Sequence, residues 1–290
     1  MTPMPPMTRR SFTSSAIAAA ALATPAFARR LSTFGVQLYT VRSIINKDPE
    51  HILREIEAAG YKEIEATYDN LDKIMEAVHK TKLKPVSIHL ETDLFTKHRD
   101  KLGPVLDDMK KRGFEYVVCP YIDPKERGGV DVMKRLADNL NKAGAQCMGA
   151  GLKLCYHNHA FEFAPAGTDA GTLLDVLMAN TDPKHVGWEM DIFWVAVTGN
   201  DPGDLLKKYP KRVMLMHLKD KPDGVAKRFD ENVPRSAFKE VGAGAMDLKR
   251  TLRIANETGV KHYFVEQDAT PGDPVASLKV SASFLKSFDF

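Results

Sequence analysis

The sequence predicts a single-domain α/β protein, a closed (β/α)8 barrel of eight parallel strands. From Thr33 onward, short apolar runs alternate with amphipathic segments of helical spacing, an order typical of a parallel sheet covered by helices. Eight apolar runs are present, and each repeating unit has roughly 30 residues, the size found in an eightfold barrel. No linker divides the chain after its first residues, so we expect one domain over 33–290.

The elements follow from these patterns in chain order. The predicted strands cover 34–40, 61–67, 84–90, 114–121, 152–159, 185–193, 213–220 and 262–268. Helical spacing of apolar residues predicts helices between them, among others over Pro49–Ala59, Asp131–Ala143 and Asp247–Thr258. The predicted helix stops are Gly60, Gly113, Gly151 and Gly259.

A doubly wound open sheet is the alternative architecture. Such sheets usually carry a glycine-rich phosphate turn after the first strand, and the corresponding segment here, TVRSIINKD, contains no glycine. The long polar segment 221–244, which follows the seventh strand, is predicted to cover the mouth of the barrel.

Residues 1–28 have the pattern of a Tat-type signal peptide. Arg9 and Arg10 precede Phe12 and a small-residue apolar run, and Ala26-Phe27-Ala28 has the form of a cleavage site. An interfacial or disordered N-terminal helix is the alternative. The pattern predicts export to the periplasm, and because no later stretch is apolar enough for a transmembrane helix, no stable membrane insertion after cleavage.

Charge and cysteine content exclude other classes of protein. Residues 1–28 contain two arginines and no acidic residue, so their removal lowers the formal net charge from +3 to +1. A nearly neutral domain lacks the field that attracts nucleic acid. The odd number of cysteines, Cys119, Cys147 and Cys155, argues against a disulfide framework and favours small buried side chains.

Polar residues lie at alternate positions near the carboxyl ends of the strands, where barrel active sites form. Those with inward parity are Gln37, Glu65, His89, His157, His159, Asp191, His217, Lys219 and Glu266. Any one of them needs only a hydrogen-bond partner. Acids and histidines that converge on one rim are better explained by a divalent cation, and mixed His/Asp/Glu ligation favours Mn²⁺, Zn²⁺, Fe²⁺ or Co²⁺ over Ca²⁺.

Five segments resemble the sugar (phosphate) isomerase/epimerase superfamily of xylose-isomerase-like TIM barrels, and the resemblance covers 33–290. They are LCYHNHAFEF (154–163), VGWEMDIFWV (186–195), LMHLKD (215–220), VGAGAMD (241–247) and YFVEQD (263–268). The resemblance implies one metal ion, held by His157, Asp191, His217 and Glu266.

The sequence departs from that family at the fifth strand, where His157 stands in place of a glutamate that many relatives pair with the carboxylate of the eighth strand. His159 has the same parity and is the alternative ligand. Trp194 stands where some relatives carry a substrate-binding histidine. Lys219 is expected to stabilise an oxyanion, with a surface salt bridge to Asp220 as the alternative.

The resemblance and the candidate site together predict an isomerase or epimerase that acts through an enediolate on a non-phosphorylated sugar or keto-sugar. Glu266 is the expected base, with His159 or Glu162 as the second proton-transfer group. The remaining inward polar residues, Gln37, Glu65 and His89, together with Trp194 and Lys219, are expected to contact the substrate.

Three other functions are open. The first is a lyase or hydratase that eliminates across a 3-keto-glycoside or polyol, which the missing strand-five carboxylate favours. The second is a non-catalytic periplasmic sugar-binding barrel. The third, a DNA-repair endonuclease of the endonuclease IV type, would require more metal ligands, including a histidine where this chain has Trp194.

Overall fold

The computed structural model describes residues 1–2, 29–167 and 170–290. Nearly all of the predicted signal peptide therefore lies outside the described residues, and its export function stays a prediction. Within the described part of the chain, no helix is both long enough and apolar enough to cross a bilayer.

Eight parallel strands close into a barrel in which each strand pairs with the next and β1 pairs with β8. The strands are β1 (Gly35–Gln37), β2 (Glu63–Thr67), β3 (Lys84–His89), β4 (Tyr116–Cys119), β5 (Lys153–His157), β6 (Val186–Asp191), β7 (Val213–Leu218) and β8 (His262–Val265). The predicted single-domain (β/α)8 barrel is confirmed.

Helices surround the barrel. In the described residues they are α1 (Pro49–Ala59), α2 (Leu71–Val78), α3 (Thr92–Thr96), α4 (Leu102–Lys111), α5 (Val130–Gly149), α6 (Leu173–Asn180), α7 (Ile192–Val197), α8 (Pro202–Lys208), α9 (Leu248–Thr258) and α10 (Pro274–Ser287). The Asp48 side chain caps the N-terminus of α1, and Gly60 ends it with φ of 109°. Asp247 and Gly259 do the same for α9.

The strands end earlier than the apolar runs predict. β5 ends at His157, β7 at Leu218 and β8 at Val265. His159, Lys219 and Glu266 therefore lie just beyond the last paired residues, in the loops at the mouth of the barrel. Apolar sequence alone does not mark this boundary, because the first loop residues are as buried as the strands.

The lower part of the barrel interior is filled by apolar side chains. This floor consists of Val86, Tyr116, Val118, Cys155, Leu215 and Phe264. Gly35 is packed so closely against it that a Cβ there would lie 2.5 Å from Cδ1 of Phe264. A ligand must therefore bind above the floor. Cys119, Cys147 and Cys155 are buried free thiols, as the sequence predicted.

The segment after β7 forms a loop that is closed at its base. The backbones of Asp220 and Lys239 exchange hydrogen bonds of 3.2 and 2.9 Å. The Asp220 carboxylate accepts four further backbone N–H bonds at 2.8–3.1 Å, from Lys221, Gly242, Gly244 and Met246. Two of the family-like segments, LMHLKD and VGAGAMD, thus meet at one buried carboxylate.

The two ends of the described domain lie side by side. The backbones of Arg29 and Phe290 exchange hydrogen bonds of 3.1 and 2.9 Å. Arg29 leads into the start of β1 and Phe290 follows the end of α10, so both ends lie at the face of the barrel opposite to the mouth.

Candidate active site

The inward polar residues form one buried layer directly above the apolar floor. Glu65, Asp191 and His217 have no exposed surface, and His157 is 3% exposed. Their inward orientation follows from the strand register, since Cys155, Leu215 and Phe264 in the floor lie two residues before His157, His217 and Glu266. The predicted convergence of acids and histidines is present.

The four residues predicted as metal ligands lie together. His157, Asp191, His217 and Glu266 each offer a ligand atom, and these atoms lie within 4.8 Å of one another. His217 Nδ1 is 2.8 Å from Glu266 Oε2, and Asp191 Oδ2 is 3.9 Å from both His217 Nδ1 and His157 Nε2. Two imidazoles and two carboxylates at this spacing fit one divalent ion.

In both His217 and His157, the ring nitrogen that points away from the shared centre lies beside a carboxylate. His217 Nε2 lies 2.6 Å from Glu65 Oε1, and His157 Nδ1 lies 3.1 Å from Glu189 Oε2. Each histidine therefore keeps its other nitrogen, Nδ1 of His217 and Nε2 of His157, for the shared centre. Metal-binding histidines are typically oriented by carboxylates in this way. Glu189 was missed by sequence reasoning, although it shares the parity of Asp191.

A second group of possible ligands lies deeper and shares two histidines with the first. It consists of His89, His157, Glu189 and His217. Glu189 Oε2 is 2.9 Å from His89 Nε2 and 3.4 Å from His217 Nε2. An ion there would need the ring nitrogens that already face Glu65 and Glu189. The upper group uses the nitrogens that remain free, so we take it as the candidate metal centre.

Burial and neighbouring charges fix the protonation of these groups. Although burial opposes it, Glu189, Glu266 and Glu65 raise the pKa of His217 well above its usual value. Burial lowers the pKa of His157 well below its usual value, so its ring is neutral. Against the effect of burial, Lys219 and His217 hold the pKa of Glu266 well below its usual range. A bound cation would replace the proton on His217.

Lys219 is a buried part of this site. Its Nζ lies 2.8 Å from Asp191 Oδ2, 2.7 Å from Glu266 Oε2 and 2.5 Å from Asp268 Oδ2. The alternative of a surface salt bridge with Asp220 is wrong, because Lys219 is 1% exposed and Asp220 accepts backbone hydrogen bonds instead. Asp268 was not predicted, although it stands two residues after Glu266 with the same parity.

Glu162 does not reach the cavity. It is fully buried, its Oε1 accepts from the Tyr156 hydroxyl at 2.7 Å, and its Oε2 accepts from the His159 backbone N–H at 3.0 Å. The prediction that Glu162 transfers a proton to the substrate is therefore wrong, since both oxygens are engaged inside the fold. Glu162 instead fixes the loop that carries His159.

A cavity of about 610 Å³ opens above the metal centre. Of the predicted site residues it is lined by His89, His157, His159, Trp194 and Glu266. Lys219, predicted to contact the substrate, does not line the cavity, because its ammonium is enclosed by Asp191, Glu266 and Asp268. Gln37 and Glu65 do not line it either, because Gln37 Nε2 donates to Glu65 Oε1 at 3.1 Å and Glu65 faces the histidines. The predicted substrate contact of these two residues is replaced by a supporting position beneath the cavity.

Loop residues complete the cavity, and sequence reasoning missed them individually. They include Tyr39, Asp69, Tyr121, Glu231, Arg235, Phe238 and Asp268. Three of them belong to the segment 221–244 that was predicted to cover the mouth, and the structure confirms that prediction. No periodicity marks single residues in a loop, so only the position of the segment signalled them.

Comparison with known proteins gives the same fold and names related enzymes. The sequence profile described as "Xylose isomerase-like TIM barrel" matches residues 53–288. An inosose dehydratase of Clostridium botulinum is 30% identical over 166 residues, which are 54% of each chain, so this chain spans about half of that relative. An inosose dehydratase of Clostridium perfringens is 30% identical over 210 residues, 66% of this chain and 69% of the relative.

Solved structures with low sequence identity share the barrel. A sugar phosphate isomerase/epimerase of Parabacteroides distasonis is 23% identical with a TM-score of 0.74, covering 88% of this chain and 98% of the other. The IolI protein, solved with a bound zinc atom, is 17% identical with a TM-score of 0.67, covering 88% and 99%. At these identities the likeness establishes the fold.

Proposed function

The chain belongs to the xylose isomerase-like TIM barrel family, and we propose that it is a metal-dependent lyase acting on a non-phosphorylated, sugar-derived ketone. It removes the proton next to the carbonyl and expels the oxygen substituent of the following carbon. The observation that carries this proposal is the one-sided arrangement of the site, in which Glu266 is a cavity-lining carboxylate beside the buried ammonium of Lys219.

The donor set of His157, Asp191, His217 and Glu266 supports a divalent metal cofactor. A cation held there would polarise the carbonyl oxygen of the substrate and acidify the adjacent C–H bond. Zinc in the IolI structure is consistent with such a fold holding a metal. This donor set suits Mn²⁺, Zn²⁺, Co²⁺ and Fe²⁺.

Glu266 is the proposed base. Its Oε2 faces His217 and Lys219, while its Oε1 has no hydrogen-bond partner among the described side chains. When Oε1 takes the proton, the electron pair of the C–H bond forms a C=C bond and the bond from the next carbon to its oxygen breaks. Asp268, which lines the cavity and whose Oδ2 lies 2.5 Å from Lys219 Nζ, relays a proton from Lys219 to the departing oxygen.

Elimination is preferred to epimerisation because a second cavity-lining carboxylate, which relatives pair with that of the eighth strand, is lacking among the predicted residues. His157 replaces the carboxylate of relatives, and the oxygens of Glu162 are engaged by Tyr156 and the backbone of His159. The named activity of the relatives, inosose dehydratase, also supports loss of water or an alcohol. Isomerisation or epimerisation, with His159 as the second group, is the second candidate, since it begins with the same proton removal.

The test is incubation of the metal-loaded protein with inososes, free keto-sugars and keto-glycosides in D₂O, followed by NMR and ultraviolet absorbance. Elimination gives a conjugated enone, and epimerisation gives deuterium uptake without loss of a substituent. Glu266→Gln is expected to lower the rate by a factor of about 10² to 10⁴, whereas Glu162→Gln, outside the cavity, serves as the matched control. Absence of both deuterium uptake and substrate consumption across the panel contradicts the proposal.

A non-catalytic binding barrel is distinguished by metal content. The proposed enzyme contains about one equivalent of metal, and Asp191→Ala loses it. A purified protein without metal after reconstitution would favour the binding barrel, since fold alone does not fix function.

Export through the Tat route is proposed from the pattern of residues 1–28. Replacement of Arg9 and Arg10 by lysine is expected to keep the full-length chain in the cytoplasm. Cell fractionation of the two forms provides the measurement, and equal periplasmic amounts would contradict the Tat route.

A further inference from the structure

We infer that the substrate is a glycoside, in which the reacting sugar carries a second ring, rather than a free monosaccharide or cyclitol. This inference rests on the proposed function and assigns its substrate class. A six-carbon sugar fills roughly 200 Å³ at the packing density of a protein interior. The cavity of about 610 Å³ would therefore be mostly unfilled by one sugar ring.

One wall of the cavity is a continuous series of four rings. The centroid distances are 5.2 Å from Tyr121 to His159, 5.5 Å from His159 to Trp194, and 6.0 Å from Trp194 to Phe238. Tyr121 and His159 follow β4 and β5, Trp194 lies in α7, and Phe238 lies in the loop after β7; all four line the cavity. Successive ring planes meet at 76°, 34° and 77°, so the wall offers separate ring faces and edges, spread over a length greater than one sugar ring.

The wall has an inner and an outer end. The ring of His159 lies 5.1 Å from that of His157 in the metal centre, and Trp194 is 2% exposed. Tyr121, in contrast, is 40% exposed, and Tyr39, at the end of β1, is 41% exposed. The reacting sugar therefore belongs against His159 and Trp194, and the second ring belongs at the rim.

Arginines hold both rim tyrosines in place. The guanidinium carbon of Arg42 lies 3.8 Å from the Tyr39 ring centroid, and that of Arg127 lies 5.0 Å from the Tyr121 ring centroid. Arg127 also pairs with Glu231 of the mouth loop at 2.7 Å. Because each tyrosine is stacked on one side and lines the cavity, the rim offers preorganised ring faces to a ligand.

The charges favour a neutral second ring. Acidic residues lining the cavity are Asp69, Glu231, Glu266 and Asp268. Among the described lining residues, Arg235 is the permanent cation. Glu231 is paired with Arg127, and Glu266 and Asp268 are paired with Lys219. The remaining charged lining residues, Asp69 and Arg235, have opposite signs, so the lining has no net charge that requires an ionic second group.

The test compares one keto-sugar in two forms, free and as its 4-nitrophenyl glycoside, with zinc-loaded protein. We expect kcat/KM to be at least tenfold higher for the glycoside. Tyr121→Ala is expected to lower the ratio of the two kcat/KM values about tenfold, because the stacking of the second ring is lost. Tyr121→Phe keeps the ratio. Tyr68→Ala, an equally exposed tyrosine outside the cavity, is the matched control.

Equal kcat/KM values for the two forms, or a Tyr121→Ala effect that is the same on both, overturn the inference while the lyase stands. Calorimetry, which measures binding without reaction, distinguishes a failure of the lyase proposal from a failure of the substrate class. If neither form reacts but the glycoside binds more tightly than the free sugar in a Tyr121-dependent manner, the lyase is wrong and the substrate class stands. If neither form reacts and neither binds, both are wrong.

Discussion

Two buried glutamates decide which ring nitrogens are free in the candidate metal centre. Glu65 faces Nε2 of His217 and Glu189 faces Nδ1 of His157. Although burial opposes ionisation, His89 and His217 lower the pKa of Glu65 well below its usual value. Neither glutamate lines the cavity, so both act on the metal through the histidines.

Glu65→Gln and Glu189→Gln are each expected to weaken divalent metal binding by a factor of about 10 to 100, because the histidines lose the partners that orient them. Competition with a coloured chelator measures the affinity. Glu63→Gln is the control, since Glu63 pairs with His262 at 2.9 Å at the opposite end of the barrel. Unchanged affinity in both variants would argue that the histidines are positioned by packing alone.

Glu162 makes stability depend on pH. Burial raises its pKa from 4.5 to about 7, so the folded chain retains a proton that the unfolded chain has released over that range. Stability is therefore lost as the pH rises through this window, by about 3 kcal/mol in total. Glu162→Gln is expected to remove this loss, which urea unfolding of both proteins between pH 4.5 and 7.5 measures. Parallel curves for the two proteins would show that folding leaves the pKa of Glu162 unchanged and would contradict this prediction.

The sequence was sufficient to identify the site residues whose side-chain direction follows from their alternate positions along a strand. His157, Asp191 and His217 were found in this way. Glu189 has the same parity as Asp191 but was overlooked, because it lies one layer below the strand end. Glu162 was misassigned because parity says nothing about a loop that folds back on Tyr156.

At the scale of elements, the base of the mouth loop is organised by one carboxylate. Asp220 receives backbone N–H groups from residues that precede α9, among them Gly242 and Gly244. A side chain at Gly244 would overlap this carboxylate, and Gly242 has φ of 87°. Gly244 is therefore required by the approach of the backbone to Asp220, and Gly242 by its positive φ and by the Phe284 ring, which a Cβ there would overlap.

Asp220→Ala is expected to speed hydrogen exchange at Gly242, Gly244 and Met246 by at least about tenfold. The substitution removes the acceptor of all three N–H groups, and each lost hydrogen bond destabilises the protected state by about 1 kcal/mol or more. Exchange measured by mass spectrometry resolves this segment. Asp223→Ala, an exposed change in the same loop, should leave exchange there unaltered. Equal protection in Asp220→Ala would mean that the bridge to Lys239 suffices.

Elements with terminal signals were predicted well. α1 and α9 were found nearly to the residue, since Asp caps and left-handed glycines mark both ends. Strand ends were predicted too late, because burial continues into the loops. α5 extends beyond the predicted Asp131–Ala143, since small residues such as Gly144 pack there without an apolar pattern.

At the scale of the whole molecule, barrel closure depends on the packing of its floor. β1 contributes only three residues, and Gly35 lies against Phe264 and the carbonyl of Glu63. The close approach brings β1 into register with both β2 and β8. Eightfold closure was predictable from the count of repeating units, but this contact was not, because it joins distant parts of the chain.

Gly35→Ala is expected to reduce the free energy of unfolding by about 1–3 kcal/mol, because the added methyl group overpacks the floor. Gly103→Ala is the control and is expected to raise the free energy of unfolding. A Cβ at Gly103 meets no atom within 4 Å, and in α4 alanine adds up to about 1 kcal/mol of stability relative to glycine. Urea denaturation measures both. Phe264→Leu should recover part of the loss in Gly35→Ala, and a lack of recovery would place the strain elsewhere.

The pairing of Arg29 with Phe290 has a practical consequence for handling the protein. A tag, a fused partner or a solid support joined at either terminus of the domain projects away from the aromatic rim, so an immobilised enzyme keeps its entrance open to bulk solution. A short peptide joining Phe290 to Arg29 would make a circular permutant feasible. Its new termini would be placed in a loop on the face of the barrel that holds the original termini.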